Sequence, residues 1–109
     1  FSHKLALEAE RVLKAWGSEV QVFDPHALPV FDRQSYDHPE VQRLRAASLW
    51  SEGHVWISPE QHGSMTAVFK NQIDWIPLSD GAVRPSQGRT VAVMEVSGGS
   101  QSFNAVNAC

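Results

Sequence analysis

The sequence predicts an α/β fold with a parallel β-sheet. Segments with helical periodicity alternate with short apolar runs in the order α, β, α, β, α, β, followed by the start of another helix. Alternation of this kind is typical of parallel strands joined by right-handed helical crossovers. With 109 residues, of which 42% are hydrophobic, the chain is expected to form one domain, residues 1–109, around a packed core.

The first helix and strand are predicted before residue 26. Apolar residues recur at i, i+4, i+7, i+8 and i+11 from Leu5 to Trp16, and Gly17 follows as a helix end. Residues 19–23 then alternate polar side chains with valines, and Asp24 and Pro25 close the segment. We therefore expect a helix followed by a strand over residues 19–23.

A loop and a second helix–strand pair follow. Residues 26–37 are long and polar enough for a surface loop. Pro39 suits the first turn of a helix that is capped by Asp37 or His38 and continues to Trp50. Gly53 is predicted to stop this helix, and residues 54–58 read as a strand covered on both faces.

The third helix–strand pair completes the pattern. Apolar residues at helical spacing from Met65 to Ile76 predict a helix that Pro77 terminates. A polar loop, residues 78–88, leads to an apolar strand over residues 90–96. The side chains expected to be mostly buried on the helices are Leu13, Trp16, Val41, Leu44, Phe69 and Ile73.

Composition argues against several classes of protein. The formal net charge is −3, and basic residues do not form a run longer than two, so nucleic acid and anionic membrane are unexpected partners. Cys109 is the single cysteine, which excludes a disulfide framework and fits a reducing, cytoplasmic setting. No apolar stretch approaches the roughly 20 residues of a membrane span. Because the chain opens on Phe1 and stops inside a helix start, we expect both ends to be cut.

Two loops carry the candidate chemistry. "SPEQHGS" follows the strand that ends near Ile57, and "SGGSQSF" follows Val96. In an open α/β sheet, ligands bind outside the carboxyl ends of the strands, so these loops are expected to share one edge. Gly63 is predicted to open a helix at Ser64, while Gly98 and Gly99 allow the main chain to approach a flat ligand. Neither loop matches GxGxxG or GxxxxGKS, and a planar heterocycle such as a flavin fits them better.

These motifs resemble a known family. "SPEQHGSMTAVFKNQIDWIP", together with "LWSEGHVWISPE", "GAVRPSQG" and "VSGGSQSFNAVN", is similar to the NADPH-dependent FMN reductase family and, within it, to the arsenical-resistance flavoproteins. The resemblance implies a flavodoxin-like, three-layer αβα fold with strand order 2-1-3-4-5. It also implies the cofactors FMN and NADPH and a homotetramer built as a dimer of dimers.

The resemblance further implies that parts of the domain lie outside this chain. The family's central first strand would precede Phe1, and a C-terminal strand and helix would follow Cys109. The strand at residues 19–23 and the strand at residues 55–57 would then be separated by one empty position, roughly 9 to 10 Å.

The resemblance also implies a set of cofactor-binding residues. The phosphate loop of the family is represented by its end, Phe1 and Ser2. The two loops would line opposite sides of the isoalloxazine ring, and the resemblance names no catalytic side chain and no metal ligand. The cofactor-binding residues implied are Ser2, Pro59, Glu60, Gln61, His62, Gly63, Ser64, Ser97, Gly98, Gly99, Gln101 and Phe103.

Several of these residues have a structural alternative. Glu60 could cap the helix that follows its loop, and His62 could be a surface histidine. Asp74 and Trp75 are better explained by core and subunit packing than by chemistry. Arg84 could meet the 2′-phosphate of NADPH, although a solvated arginine is the simpler reading.

Other kinds of site have less support. Cys109 is not an arsenic site on its own. Ser58, His62 and Asp74 could be assembled into a hydrolase triad, but the GxSxG elbow is missing. His54 and His62 are eight residues apart and do not match HExxH.

The function implied is an NADPH-dependent FMN oxidoreductase. Hydride would pass from NADPH to FMN, and electrons would pass on to a small-molecule acceptor: a quinone, an azo dye, oxygen, iron or a trivalent organoarsenical. A generic NAD(P)H quinone or azo reductase is the alternative enzyme. A flavodoxin-type FMN electron carrier without NADPH activity, or an inert fragment, is the alternative outside enzymes.

Overall fold

The computed structural model describes residues 1–77, 79, 81–99 and 102–109. Within them the fold is α/β. The helices are α1 (Ser2–Ala15), α2 (Pro39–Trp50), α3 (Ala67–Trp75) and α4 (Asn104–Ala108), with a single 3₁₀ turn at Pro25–Ala27; the strands are β1 (Gly53–Gln61), β2 (Ser64–Met65) and β3 (Thr90–Val96). The order departs from strict alternation, since α1 and α2 have no strand between them and β1 and β2 are consecutive.

The sheet of the described residues is mixed, with strand order β2-β1-β3. β1 and β3 begin side by side, since a Cβ added to Gly53 would lie 3.3 Å from the carbonyl oxygen of Thr90. β2 is antiparallel to β1, pairing Glu60 with Met65 and Gln61 with Ser64. The prediction of an entirely parallel sheet is therefore wrong at β2, because a two-residue hairpin turns the chain back on itself.

The strand predicted at residues 19–23 is wrong. These residues lie outside the sheet, although their alternating pattern favours extended backbone. A strand is defined by its ladder, and the described sheet consists of β2, β1 and β3. Its separation of 9 to 10 Å from β1 stays a prediction.

Capping residues set the ends of the first two helices. After α1, Gly17 has φ +89°, and the N–H groups of Gly17 and Ser18 donate to the carbonyls of Lys14 and Leu13 at 3.0 Å. This is the Schellman arrangement that a left-handed glycine makes possible. At α2, Nδ1 of His38 accepts the N–H of Glu40 at 3.2 Å, which confirms the predicted start at Pro39.

The described residues form two compact units. One comprises Phe1–Phe23, Val55–Thr66 and Ala92–Cys109, and the other comprises Asp24–His54 and Ala67–Val91. A single domain over residues 1–109 stays a prediction.

The core of the second unit lies where α2 meets α3. Val41, Leu44 and Phe69 are buried as predicted, whereas Leu13 in the first unit and Ile73 in the second are half-buried. Trp16 is 79% exposed, so its predicted burial is wrong. The reason is that Trp16 is the residue after the last turn of α1, where the backbone leaves the helix.

Trp75 is fully buried and holds the loop that precedes α2. Its Nε1–H donates to the carbonyl of Pro29 at 2.7 Å, and the rings of Phe31 and Tyr36 meet it edge-on. Asn71, one turn earlier on α3, donates to Pro29 O at 2.9 Å and accepts the N–H of Phe31 at 2.8 Å. The core-packing explanation of Trp75 is confirmed, and these contacts tie down a loop that its sequence alone leaves free.

No helix in the described part of the chain is both long and apolar enough to cross a membrane.

Candidate functional site

The first candidate loop is a strand end followed by a tight turn. β1 continues through Pro59 and Glu60 to Gln61, and the chain reverses at His62 and Gly63, whose φ angles are 51° and 75°. Positive φ at both central residues is the signature of a two-residue type I′ hairpin, for which histidine is tolerated and glycine preferred. The helix predicted at Ser64 therefore begins at Ala67, because β2 lies between them.

Ser58 makes hydrogen bonds to residues on both sides of this turn. It is 2% exposed, its hydroxyl donates to the carbonyl of Pro59 at 2.9 Å, and it accepts the N–H of Thr66 at 3.3 Å. These contacts fix the chain on both sides of the hairpin. A buried hydroxyl held in this way is a structural group, which argues further against a Ser58 nucleophile.

Glu60 links the hairpin to the second candidate loop. Its Oε2 accepts the backbone N–H of Asn104 at 2.9 Å, and the side-chain amide of Asn104 lies 3.4 Å from Oε1. A Cβ added to Gly63 would lie 4.0 Å from the same amide. Glu60 does cap a helix, but the helix is α4, 44 residues further along the chain, and not α3.

Glu95, the last but one residue of β3, caps the same helix. Its Oε2 accepts the N–H of Val106 at 3.1 Å. Neither Glu95 nor Asn104 was singled out from the sequence. The available signal was a lone charged residue near the end of the apolar run TVAVMEV, where a carboxylate needs a partner.

The electrostatics of Glu60 follow from these contacts. Partial burial raises the pKa of its carboxyl, but hydrogen bonds from the backbone and side chain of Asn104 and from the backbone of Ala105 outweigh it and leave the pKa below its ordinary 4.5. The carboxylate is therefore the stable form near neutral pH, which suits an acceptor at a helix N-terminus.

The second candidate loop leaves β3 beside this helix. Ser97 donates its hydroxyl to the carbonyl of Gly99 at 3.2 Å. A Cβ on Gly99 would lie 3.0 Å from Oγ of Ser102, whereas, apart from its chain neighbours, no described residue has a heavy atom within 4 Å of the Cβ position on Gly98. Phe103, directly before α4, is 66% exposed. Gln101 lies outside the described residues.

The edge thus brings together most of the predicted cofactor-binding residues. The hairpin follows the carboxyl end of β1, Ser97 to Gly99 follow the carboxyl end of the neighbouring strand β3, and Asn104 contacts Glu60 beside the hairpin. Ser2 lies in the first turn of α1. The prediction that the two loops share one edge is confirmed; their contact with a cofactor stays a prediction.

Other candidates have ordinary surroundings. Asp74 pairs with Lys70 on the surface of α3, and Arg84 is exposed. Partial burial, and next the negative charge of Glu95, raise the pKa of the Cys109 thiol, which donates to the carbonyl of Ala105 at 3.1 Å. Among the described residues, no group of three histidine, cysteine, aspartate or glutamate side chains is placed to hold a metal ion.

Comparison with known proteins identifies the family. Residues 1–109 match the sequence model of the family described as NADPH-dependent FMN reductase. The chain belongs to the NADPH-dependent FMN reductase family.

Individual members of the FMN reductase family show how similar the chain is. It is 63% identical over 107 residues to the NADPH-dependent FMN reductase ArsH of Rhizobium meliloti, and 58% identical over 107 residues to the protein of the same name from Acidithiobacillus ferrooxidans. These alignments cover 98% of the chain. The NAD(P)H-dependent FMN reductase PA1204 of Pseudomonas aeruginosa is 28% identical over 86 residues, 76% of the chain. The chain spans 44%, 45% and 45% of the lengths of these three relatives.

Proposed function

We propose that the protein is an NADPH-dependent FMN oxidoreductase that serves arsenical resistance. One observation carries the proposal: in a chain of this family, Glu60, beside the His62–Gly63 turn at the end of β1, contacts Asn104, which directly follows the loop after the neighbouring strand β3. This is the edge at which open α/β sheets bind their ligands. The ArsH name of three relatives supports the arsenical part of the proposal.

The residues at this edge fit a flat ring. Among the described residues, Gly98 has open space where any other residue would place a Cβ, and Phe103 has an exposed aromatic ring. The hairpin turn presents main chain with positive φ at His62 and Gly63. Because the carboxylate of Glu60 is engaged by Asn104, we assign the contacts of this turn to its backbone and to the neighbouring side chains.

In this proposal, Pro59 to Ser64 line one side of the isoalloxazine ring and Ser97 to Phe103 line the other, with Ser2 at the phosphate end. When bound, FMN supplies the redox chemistry, accepting hydride from NADPH and passing electrons to a quinone, an azo dye, oxygen, iron or a trivalent organoarsenical. The chain's own residues bind and orient the ring and keep water from it. No side chain is assigned a proton-transfer role.

Assembly and location follow the family resemblance. We propose a homotetramer, built as a dimer of dimers, in the cytoplasm. The single cysteine, exposed at the end of the described chain, is consistent with a reducing compartment.

Two measurements on the full-length protein test the function. Bound flavin gives an absorption band near ~450 nm, and a colourless protein that FMN does not reconstitute would refute cofactor binding. Steady-state oxidation of NADPH then separates the enzyme from a flavodoxin-type carrier, which should oxidise almost none without a partner reductase. Comparing rates with a quinone, an azo dye and a trivalent organoarsenical would distinguish the arsenical enzyme from a general quinone or azo reductase.

A further inference from the structure

The first turn of helix α4, Asn104–Ala108, depends on contacts with other parts of the fold. Its first N–H groups lack intrahelical partners, and Phe103 at the cap position has an apolar side chain without an acceptor. The partners of these groups must come from elsewhere in the fold.

Two glutamates at the ends of neighbouring strands supply those partners. Glu60 near the end of β1 accepts the N–H of Asn104, the first residue of the helix, at 2.9 Å. Glu95 near the end of β3 accepts the N–H of Val106, two residues later, at 3.1 Å. Ala105, between the two, is 1% exposed. The first turn of α4 is therefore held on two sides, and by negative charges, which favour a helix N-terminus.

The carboxyl groups of Glu60 and Glu95 both lie at the first turn of α4. Oε1 of Glu95 is shielded from solvent and accepts no hydrogen bond from the described residues. An amide at position 95 would keep an acceptor for Val106. Replacement by a methyl group would remove that acceptor.

We propose that Glu95 is a positioning residue that, together with Glu60, clamps the first turn of α4 and so sets the position of Phe103 at the flavin edge. Phe103 directly precedes Asn104, so the ring moves with the helix start. The proposal rests on the proposed FMN function. It also gives Glu60 a role that needs no contact between its carboxylate and the cofactor.

The test uses Glu95→Ala, Glu95→Gln and the control Glu19→Ala, which removes an exposed carboxylate, all in the full-length protein. FMN affinity is measured by flavin fluorescence quenching, and local order by hydrogen exchange at the amides of Asn104 and Val106. Loss of one charge-assisted hydrogen bond should weaken FMN binding by about tenfold in Glu95→Ala. Exchange at Val106 should accelerate, while exchange in α2 stays unchanged. Glu95→Gln should remain within about threefold of the parent protein in FMN affinity.

The outcomes are distinguishable. Unchanged FMN affinity in Glu95→Ala, or equal weakening in Glu95→Gln or Glu19→Ala, would overturn the proposal. If Glu95→Ala fails to fold, Glu95→Gln decides: parent-like affinity and exchange at Val106 support the clamp, and weakened binding refutes it. If the parent protein binds no FMN, the proposed function fails by itself. Exchange at Val106 then still tests the clamp, since an unchanged rate in Glu95→Ala refutes it.

Discussion

Replacing Gly98 with valine should separate cofactor binding from folding stability. Apart from the chain neighbours Ser97 and Gly99, no described residue has a heavy atom within 4 Å of the Cβ position on Gly98, and its φ lies outside the left-handed region. The folded chain can therefore accept the side chain, and we expect the free energy of unfolding to change by about 0.5 kcal/mol or less. A flat ring, by contrast, contacts the main chain at about 3.5 to 4.0 Å, which leaves no room for branched methyl groups.

The expected loss of affinity follows from that overlap. Overpacking by extra methyl groups costs roughly 1–3 kcal/mol, which corresponds to a rise in the FMN dissociation constant of about 5- to 150-fold. The assay is an FMN titration of the full-length apoprotein, with chemical denaturation of the same samples. Ala92→Val is the matched control, since it adds methyl groups to an exposed position on β3. Equal FMN affinity in Gly98→Val would refute the claim that the ring approaches the main chain closely. A fall in the free energy of unfolding as large as the fall in binding free energy would refute the claim that the folded chain has room for the side chain.

Three further substitutions test other features of the full-length protein. Trp75→Phe should lower the free energy of unfolding by about 1–3 kcal/mol in chemical denaturation, because it opens a void and removes the donor to Pro29. The control Trp16→Phe, at an exposed site, should change the free energy of unfolding by about 0.5 kcal/mol or less. Equal effects of the two substitutions would contradict the packing argument. Asp32→Asn tests a carboxyl group with a lowered pKa. Hydrogen bonds, led by the one from the Ser35 hydroxyl, lower the pKa of Asp32 from 3.8 to about 2. The unfolded chain binds the proton more tightly, so the stabilisation from the Asp32 carboxylate is present above pH 3.8 and lost as pH falls through about 2. In Asp32→Asn the free energy of unfolding should therefore change less steeply with pH in that window. An unchanged pH dependence would contradict the assignment of the lowered pKa to these hydrogen bonds. His62→Asn should leave FMN affinity within about twofold of the parent protein, because asparagine tolerates positive φ. His62→Val should lower the free energy of unfolding by about 1–2 kcal/mol. A large loss of FMN affinity in His62→Asn would show that the imidazole itself contacts the cofactor.

Elements with strong local signals are predictable from this sequence. Both ends of α2 were predicted, because Pro39 sets the first turn and His38 supplies the cap. The limits of β3 were also predicted, since the apolar run between Arg89 and Ser97 has a polar or small residue at each side. In each case the determining interactions lie within a few residues of the element.

Predictions failed where pairing with distant residues decides the structure. Pro59 suggests a break after Ser58, yet β1 continues through it to Gln61. Proline is tolerated there because β2 pairs with β1 at Glu60 and Gln61, beyond the proline, so no N–H is needed on that side at Pro59. Residues 19–23 show the reverse case, since their pattern is right for a strand but they lie outside the described sheet of β2, β1 and β3.

The same distinction explains why the hydrogen-bond partner of Glu60 was not predicted. The position of Glu60 at the carboxyl end of a strand is a local property, and the motif around it identified the edge. Its hydrogen-bond partner is Asn104, 44 residues away, and the sequence pattern around residue 60 cannot predict that contact. A carboxylate already engaged by a helix N-terminus has less capacity to bind a ligand, and one near a flavin would also oppose negative charge on the reduced ring. Satisfying Glu60 with backbone N–H groups of α4 reduces this conflict, so the clamp and the cofactor edge favour the same geometry.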